Sequence, residues 1–367
     1  MNFCSNCILP DSRPNLIIQD NGICNACNNH STKNYIDWKN REKKFIKITE
    51  SATKHKKDYD CIIPISGGKD STWQIIMALK YNLKPLCVTW KSPARNKIGN
   101  SNLENAKKLG IDHLDVSINP FVEKYFTKKS FKKFGTTLIP MHMAIHSIPQ
   151  QIALKFNIPL IIQGENSAFE YGGDKKNSLS NSINRYWLKK HGNTNGTFAE
   201  NWFDKTLNKK NMIFYTYPKD QLLKNKSIKT IFLGNYFKWD PLRTYNISKK
   251  YGFKNDQKPQ TGIYNFADID DSYLISVHHW LKWYKFGITR SWDNLSIEIR
   301  NNRISRNKAI KIVNKLGEEK PSKKIKKFID YIGINESNFY KICEKFRNTK
   351  IWEKNKNGNW KMKKKLK

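Results

Sequence analysis

From residue 58 onward, short apolar runs alternate with longer stretches whose apolar positions recur every three to four residues, the pattern of a parallel sheet covered by helices. Four runs predict strands at 59–65, 85–90, 113–117 and 159–163. The intervals 71–81, 102–109, 121–134 and 141–156 have the length and spacing of crossover helices, with Gly110 and Pro159 as punctuation. This predicts a doubly wound α/β domain over residues 58–230.

The flanks read differently. Residues 1–31 carry paired cysteines, and 35–57 reads as a charged helical connector with Trp38, Phe45 and Ile48 on its apolar side, so 1–57 is taken as one module. Residues 172–225 are polar, rich in Lys and Asn and dotted with Trp187, Trp202 and Phe203, and no periodicity assigns them elements. A C-terminal region, 231–353, predicts helices at 271–284, 306–316, 323–332 and 336–346, with 354–367 as a frayed basic tail.

Charge changes this picture little. The chain has 367 residues, with 67 Lys and Arg against 31 Asp and Glu, a net charge of +36. Such an excess would nominate a polyanionic partner, but the basic residues run along the whole chain with Asn and Ile instead of clustering in a stripe, which argues against nucleic acid. The start lacks a basic segment followed by an apolar run, and no later stretch is long and uncharged enough to span a bilayer. A cytoplasmic protein without membrane insertion is expected.

The chemistry starts at the end of the first predicted strand, where Ser66, Gly67, Gly68, Lys69, Asp70 and Ser71 lead directly into a helix. Two glycines allow a tight turn that brings backbone N–H groups against phosphate oxygens, and the helix start adds free donors and a positive dipole end. Ser66 and Ser71 offer hydroxyls, Lys69 a charge for the leaving group, and Asp70 a carboxylate for Mg2+. This is not the G-x-x-x-x-G-K-[ST] loop that presents a terminal phosphate. The S-G-G-x-D-S form resembles the PP-loop ATP pyrophosphatases, the adenine nucleotide alpha-hydrolase-like fold. That resemblance implies that residues 66–71 hold the β–γ pyrophosphate, with Lys69 and Asp70 as the catalytic residues, while a substrate oxygen attacks the α-phosphorus of ATP. Val88, Thr89 and Trp90, ending the next strand, are then candidates to flank adenine, since ligands bind at carboxyl strand ends.

Cys4-x-x-Cys7 and Cys24-x-x-Cys27 stand sixteen residues apart, a spacing suited to a closed four-thiolate zinc site, with Gly22 and Pro10 placed for tight knuckles. A redox dithiol, or His30 in place of one thiolate, are the alternatives. Cys61 and Cys87 fall in predicted strands and Cys343 in a helix, where buried inert thiols are the default. None has a nucleophile's glycine-flanked turn, so ammonia, if used, must come from a separate glutaminase.

A wider resemblance runs over about 1–355. Phe3-Cys4-x-x-Cys7-Ile8-Leu9-Pro10-Asp11, Gly22-x-Cys24-x-Ala26-Cys27, Ile36-Asp37-Trp38, Pro85-Leu86-x-Val88-Thr89-Trp90, Pro159-Leu160-Ile161-Ile162-x-Gly164-Glu165-Asn166, Glu170-Tyr171-Gly172-Gly173, Lys285-Phe286-Gly287 and Glu298-Ile299-Arg300 occur in order. This chain resembles the N-acetyl sugar amidotransferases of bacterial surface-polysaccharide and nonulosonate pathways. The resemblance implies that an acetamido group becomes an acetamidino group with ATP and with ammonia from a partner glutaminase. It departs around 175–224 and at Ile288-Thr289.

Further candidates follow. Gly164 is expected at the nucleotide, and Glu165 and Asn166 should open into the same cleft, although Asn166 also suits a helix cap. Glu170 and Tyr171 could close over the sugar or help hold Mg2+, or form a surface turn. Lys285, Arg290 and Arg300, with Asp293 and Glu298, concentrate charge between predicted helices and suit an anionic sugar or its nucleotide, or a solvated face. His278 and His279 read as packing residues beside Trp280 and Trp283. The rival functions are a tRNA-modifying PP-loop enzyme of thiolation or lysidine type, and a non-enzymatic zinc-bearing nucleic-acid-binding protein.

Overall fold

The computed structural model describes residues 1–54, 58–173 and 183–366. In chain order the helices are α1 (Asn25–Thr32), α2 (Trp38–Thr53), α3 (Lys69–Lys80), α4 (Lys97–Lys107), α5 (Pro120–Phe134), α6 (Ile139–Phe156), α7 (Ser167–Glu170), α8 (Arg185–His191), α9 (Asp220–Asn225), α10 (Pro241–Lys250), α11 (Leu274–Phe286), α12 (Arg290–Arg300), α13 (Arg306–Leu316), α14 (Ser322–Ile332) and α15 (Glu336–Lys345). The strands are β1 (Cys61–Pro64), β2 (Pro85–Trp90), β3 (Asp112–Val116), β4 (Leu160–Gln163), β5 (Lys229–Phe232), β6 (Trp352–Lys354) and β7 (Trp360–Met362). The end of the expected 35–57 connector, at 55–57, and the start of the segment left without elements, at 174–182, lie outside the described residues.

β1 to β5 form one parallel sheet in the order β3-β2-β1-β4-β5. Chain order runs outward in both directions from the β1–β4 pair, so the sheet's switch point lies between them and the crevice beyond their carboxyl ends is where a ligand fits. Alternation sends Ile62, Val88 and Ile161 to one face, under α5, α6, α11, α14 and α15. It sends Cys61, Ile63, Cys87 and Ile162 to the other, under α2, α3 and α4. The doubly wound parallel-sheet domain expected from the sequence is therefore present, with a mostly helical C-terminal region.

Three boundaries differ from the sequence reading. The division at 230/231 cuts through β5, whose Thr230 pairs with Ile161; this short strand beside a lysine-rich stretch gives too little periodicity to be read. Residues 1–57 do not form one module. The cysteine segment shares its core with Trp292, Leu295 and Ile299 of α12, whereas Phe45 and Ala52 of α2 pack on the sheet. The tail is not frayed: β6 and β7 pair antiparallel across a turn containing Gly358, Arg347 stacks on Tyr284, Trp352 and Trp360, and Trp352 donates its indole N–H to the Tyr284 carbonyl at 3.1 Å. No described helix is long and apolar enough to cross a membrane.

Candidate functional site

β1 delivers the glycine turn to the crevice. Gly67 has φ +84°, and a Cβ there would stand 2.8 Å from the Gly99 carbonyl oxygen, so the position requires glycine for both conformation and space. Ser66 Oγ accepts from Gly68 N–H, Ser71 Oγ donates to the Gly68 carbonyl at 2.8 Å, and α3 begins at Lys69, leaving first-turn N–H groups unpaired toward the cavity. Lys69 Nζ and Asp70 Oδ2 are 2.5 Å apart. The other Asp70 oxygen accepts from Trp239 Nε1 at 3.1 Å and Thr244 Oγ1 at 2.9 Å, and Ser248 Oγ donates to the Lys69 carbonyl at 2.6 Å. α10 and the chain before it thus hold the turn from behind.

Ser66, Gly68, Lys69, Asp70, Ser71, Thr89 and Trp90 line a cavity of about 320 Å³. Gly67, Val88 and Gly164 stand behind its wall: Val88 lies in the core, and the Gly164 carbonyl accepts from Gly234 N–H at 3.0 Å. The opposite wall was not read from the sequence. It is the loop carrying Asp268, Asp270 and Asp271, tied to the segment after β2 by Asn96 N–H to the Asp270 carbonyl at 3.1 Å and Ser272 N–H to the Ala94 carbonyl at 2.7 Å. The available signal was three aspartates within four residues of a strongly basic chain.

Glu165 enters this cavity from the carboxyl end of β4. Burial, then the neighbouring Asp70, pushes its carboxyl up to about 7, and burial with Asp268 pushes Asp270 up to about 6. Carboxyls crowded this way are relieved by a cation. Among the described residues the carboxylates do not converge on a three-ligand metal site. That suits Mg2+, which takes one or two carboxylates and completes its shell with phosphate and water; Asp70 and Asp270 are placed to supply them.

A second cavity, of about 610 Å³, adjoins the first, and Met141, Glu165, Asp268, Ile275 and Arg290 belong to both walls. Its other walls bring in Arg13, Tyr171, Lys189, Lys190, Lys282 and Lys285, so it is strongly cationic. Arg13 and Arg290 both lie over the Tyr171 ring, at 5.6 and 5.9 Å. Behind them Asp293, fully buried, accepts from Arg13 Nε at 2.8 Å and Lys282 Nζ at 2.9 Å, with Arg290 at 4.0 Å. Lys285 donates to the Gly135 carbonyl at 3.0 Å, and burial brings its ammonium down to about 8.

Three substrate candidates are placed elsewhere. Asn166 is buried and caps α7 through Ala168 N–H. Glu170 forms a buried ion pair with Lys33 at 2.7 Å, so its charge is already matched. Arg300 is buried on α12, donates to the Glu170 carbonyl at 2.8 Å, and turns its charge toward Cys7 and Cys27. The charged stretch 290–300 is a buried helix, because its ionic residues find partners across three packed segments. His278 and His279, read as packing, do line the larger cavity; His278 Nδ1 is 3.0 Å from Thr136 Oγ1, and His279 Nε2 is 3.4 Å from Asp268.

Cys4, Cys7, Cys24 and Cys27 converge with all four sulfurs within 4.8 Å of one another, and His30 stands outside the group. The Cys7–Cys24 and Cys4–Cys27 separations are 3.8 and 3.9 Å. Zinc bound tetrahedrally at about 2.3 Å requires sulfur–sulfur edges of about 3.8 Å. Backbone N–H groups of Cys7 and Cys24 point at Cys4 Sγ, the knuckle that steadies a thiolate. The donor set fits a closed structural zinc site. Purified protein is expected to carry about one zinc per chain and Cys24→Ser close to none by elemental analysis, because a fourth thiolate is needed to close the shell.

Helices α11 and α12 thus supply Lys282, Lys285 and Arg290, half of the cationic side chains of the larger cavity. Residues 242–367 match the family described as LPS biosynthesis protein WbpG-like, C-terminal domain. This part of the chain is similar to that domain. The resemblance read from the sequence is borne out at that level, as a lipopolysaccharide-biosynthesis family. The matched residues contribute Asp268 and Asp270 to the first cavity, Lys282 and Lys285 to the second, and Arg290 to both. A search of the curated proteins returns no match. Solved structures with similarity include NMN synthetase from Francisella tularensis, at 15% identity and TM-score 0.27 over 61% of this chain and 99% of that one. Another is a predicted subunit of tRNA methyltransferase from Methanocaldococcus jannaschii DSM, at 14% identity and TM-score 0.31 over 63% and 90%.

Proposed function

We propose that this protein is the synthetase subunit of an ATP-dependent amidotransferase that turns an acetamido group of an N-acetyl sugar into an acetamidino group for surface-polysaccharide biosynthesis. The observation that carries the reading is the shared wall of Glu165, Asp268 and Arg290, which lets the phosphate cavity open into a second, cationic cavity. Triphosphate seated on residues 66–71 presents its α-phosphorus toward that opening. The acetamido oxygen of a sugar in the larger cavity attacks it, and pyrophosphate leaves against Lys69 and the first turn of α3. Mg2+, when bound with the nucleotide, would neutralise charge on the phosphates.

Glu165 accepts the amide proton as the oxygen attacks, leaving an O-adenyl imidate whose nitrogen is uncharged. Ammonia then adds to the imidate carbon and AMP departs; ammonia's three hydrogens end on the two nitrogens of the cationic amidinium, and the proton held by Glu165 passes to solvent, which restores the base. Neither cavity wall contains a cysteine, and burial pushes the Cys61, Cys87 and Cys343 thiols up, which suits oxygen activation with imported ammonia better than sulfur transfer. A separate glutaminase is the source we assign. Incubation with ATP, ammonium and a panel of free and nucleotide-linked N-acetyl sugars should give, by mass spectrometry, one product in which an oxygen is replaced by NH. Products that all retain the acetamido oxygen would refute the reading.

A further inference from the structure

Next to the larger cavity, reached through His142 and His191 of its wall, stands a group of polar side chains that this reaction leaves unused. α6 presents His142, His146 and Gln150 four residues apart, on one face of the helix. α8 presents Trp187 and His191 with the same spacing, and the rings lie in sequence: His146 to Trp187 at 6.1 Å, Trp187 to His191 at 5.7 Å. His142 and His191 line the cavity, and His146, Gln150 and Trp187 continue from them along the same two helix faces. Gln163 closes the group from β4, in register with Phe232, whose ring is 5.2 Å from that of Trp187.

Five buried polar atoms here have no hydrogen-bond partner: His146 Nδ1, Gln150 Nε2 and Oε1, Gln163 Nε2 and Trp187 Nε1. Gln150 is completely buried and Trp187 is 3% exposed. Buried polar groups left unpaired are costly, and apolar residues of the same shape would avoid the cost, so a cluster of them calls for a resident hydrogen-bonding molecule. The group offers donors from the amides and the indole and acceptors from an amide oxygen and the imidazoles. Burial brings His146 down to about 3 and His142 to about 4, so both imidazoles are uncharged at neutral pH. Among His146, Gln150, Gln163 and Trp187, none then carries charge, and a small neutral molecule that both donates and accepts is favoured over an ion.

We propose that His146, Gln150, Gln163 and Trp187 form a holding site for ammonia, which passes from it by way of His142 and His191 into the larger cavity. The proposal rests on the amidotransferase reading. The uncharged lining admits ammonia and refuses ammonium, delivering the nucleophile in its reactive form.

Gln150→Leu and Trp187→Phe remove hydrogen-bonding atoms while keeping apolar bulk, so both should fold. With a sugar that the wild type converts, each variant should raise the KM for ammonium about fivefold, the loss of one hydrogen bond. Sugar-dependent exchange of labelled pyrophosphate into ATP, measured without ammonium, should stay at the wild-type rate. An unchanged KM for ammonium would mean that the site holds only water, and exchange falling in step with turnover would mean a merely structural role; either overturns the proposal while sparing the proposed reaction. Wild-type AMP formation with no ammonium dependence and no amidine product would overturn both.

Discussion

Glu165→Gln is expected to lower kcat by about 10²–10⁴, the usual contribution of a positioned proton acceptor, while ATP still binds. The amide keeps the size and most of the hydrogen-bonding capacity of the side chain but cannot take a proton. Because burial and Asp70 push the wild-type carboxyl up to about 7, the base form predominates only above that pH. Wild-type activity should therefore rise as pH increases through about 7, and the variant's residual activity should lose that limb. A pH profile of kcat/KM for ATP, which reports the free enzyme, measured for both proteins at saturating free ammonia, checks this. A flat wild-type profile across that range would remove Glu165 from its assigned role.

Asp293→Ala is expected to cost about 3–5 kcal/mol of stability, the range for breaking a buried ion pair by removing one partner. The side chain is inaccessible and balances Arg13 from the cysteine module, Lys282 from α11 and, more loosely, Arg290. Its loss leaves buried cations facing one another and withdraws the support that aims Arg13 and Arg290 over Tyr171. The facing cations hold the Asp293 carboxyl well below the usual carboxylate range. A depressed carboxyl contributes stability that is present above its unfolded value near 4 and is lost as pH falls toward its folded value. Wild type should thus lose stability on acidification more steeply than the variant, as denaturant midpoints measured across that range would show.

The parts of this molecule legible in the sequence are those whose chemistry is local. A buried strand, two glycines and a helix start within a dozen residues locate the glycine turn that lines the first cavity, and the spacing of two C-x-x-C pairs locates the four-cysteine cluster. What escaped depends on packing across distance. Asp270 faces the turn only because backbone bonds tie its loop to residues 94–96, nearly two hundred positions earlier. α12 reads as a solvated charged run because its partners, Arg13 and Glu170, lie on other segments. Glu170 and Arg300 have the composition of a binding site but pair with structure instead, whereas Glu165, next to the same strand end, remains in the cavity. The β6–β7 hairpin is hidden among lysines, and its stability comes from the stacking of Arg347, which belongs to the preceding turn.

The most direct test of the account follows the phosphorus. With sugar, ammonium and Mg2+ present, ³¹P NMR of consumed ATP should show AMP and pyrophosphate in equal amounts, since in the proposed reaction the turn at 66–71 holds the two terminal phosphates as one leaving group. Formation of ADP and orthophosphate would contradict it.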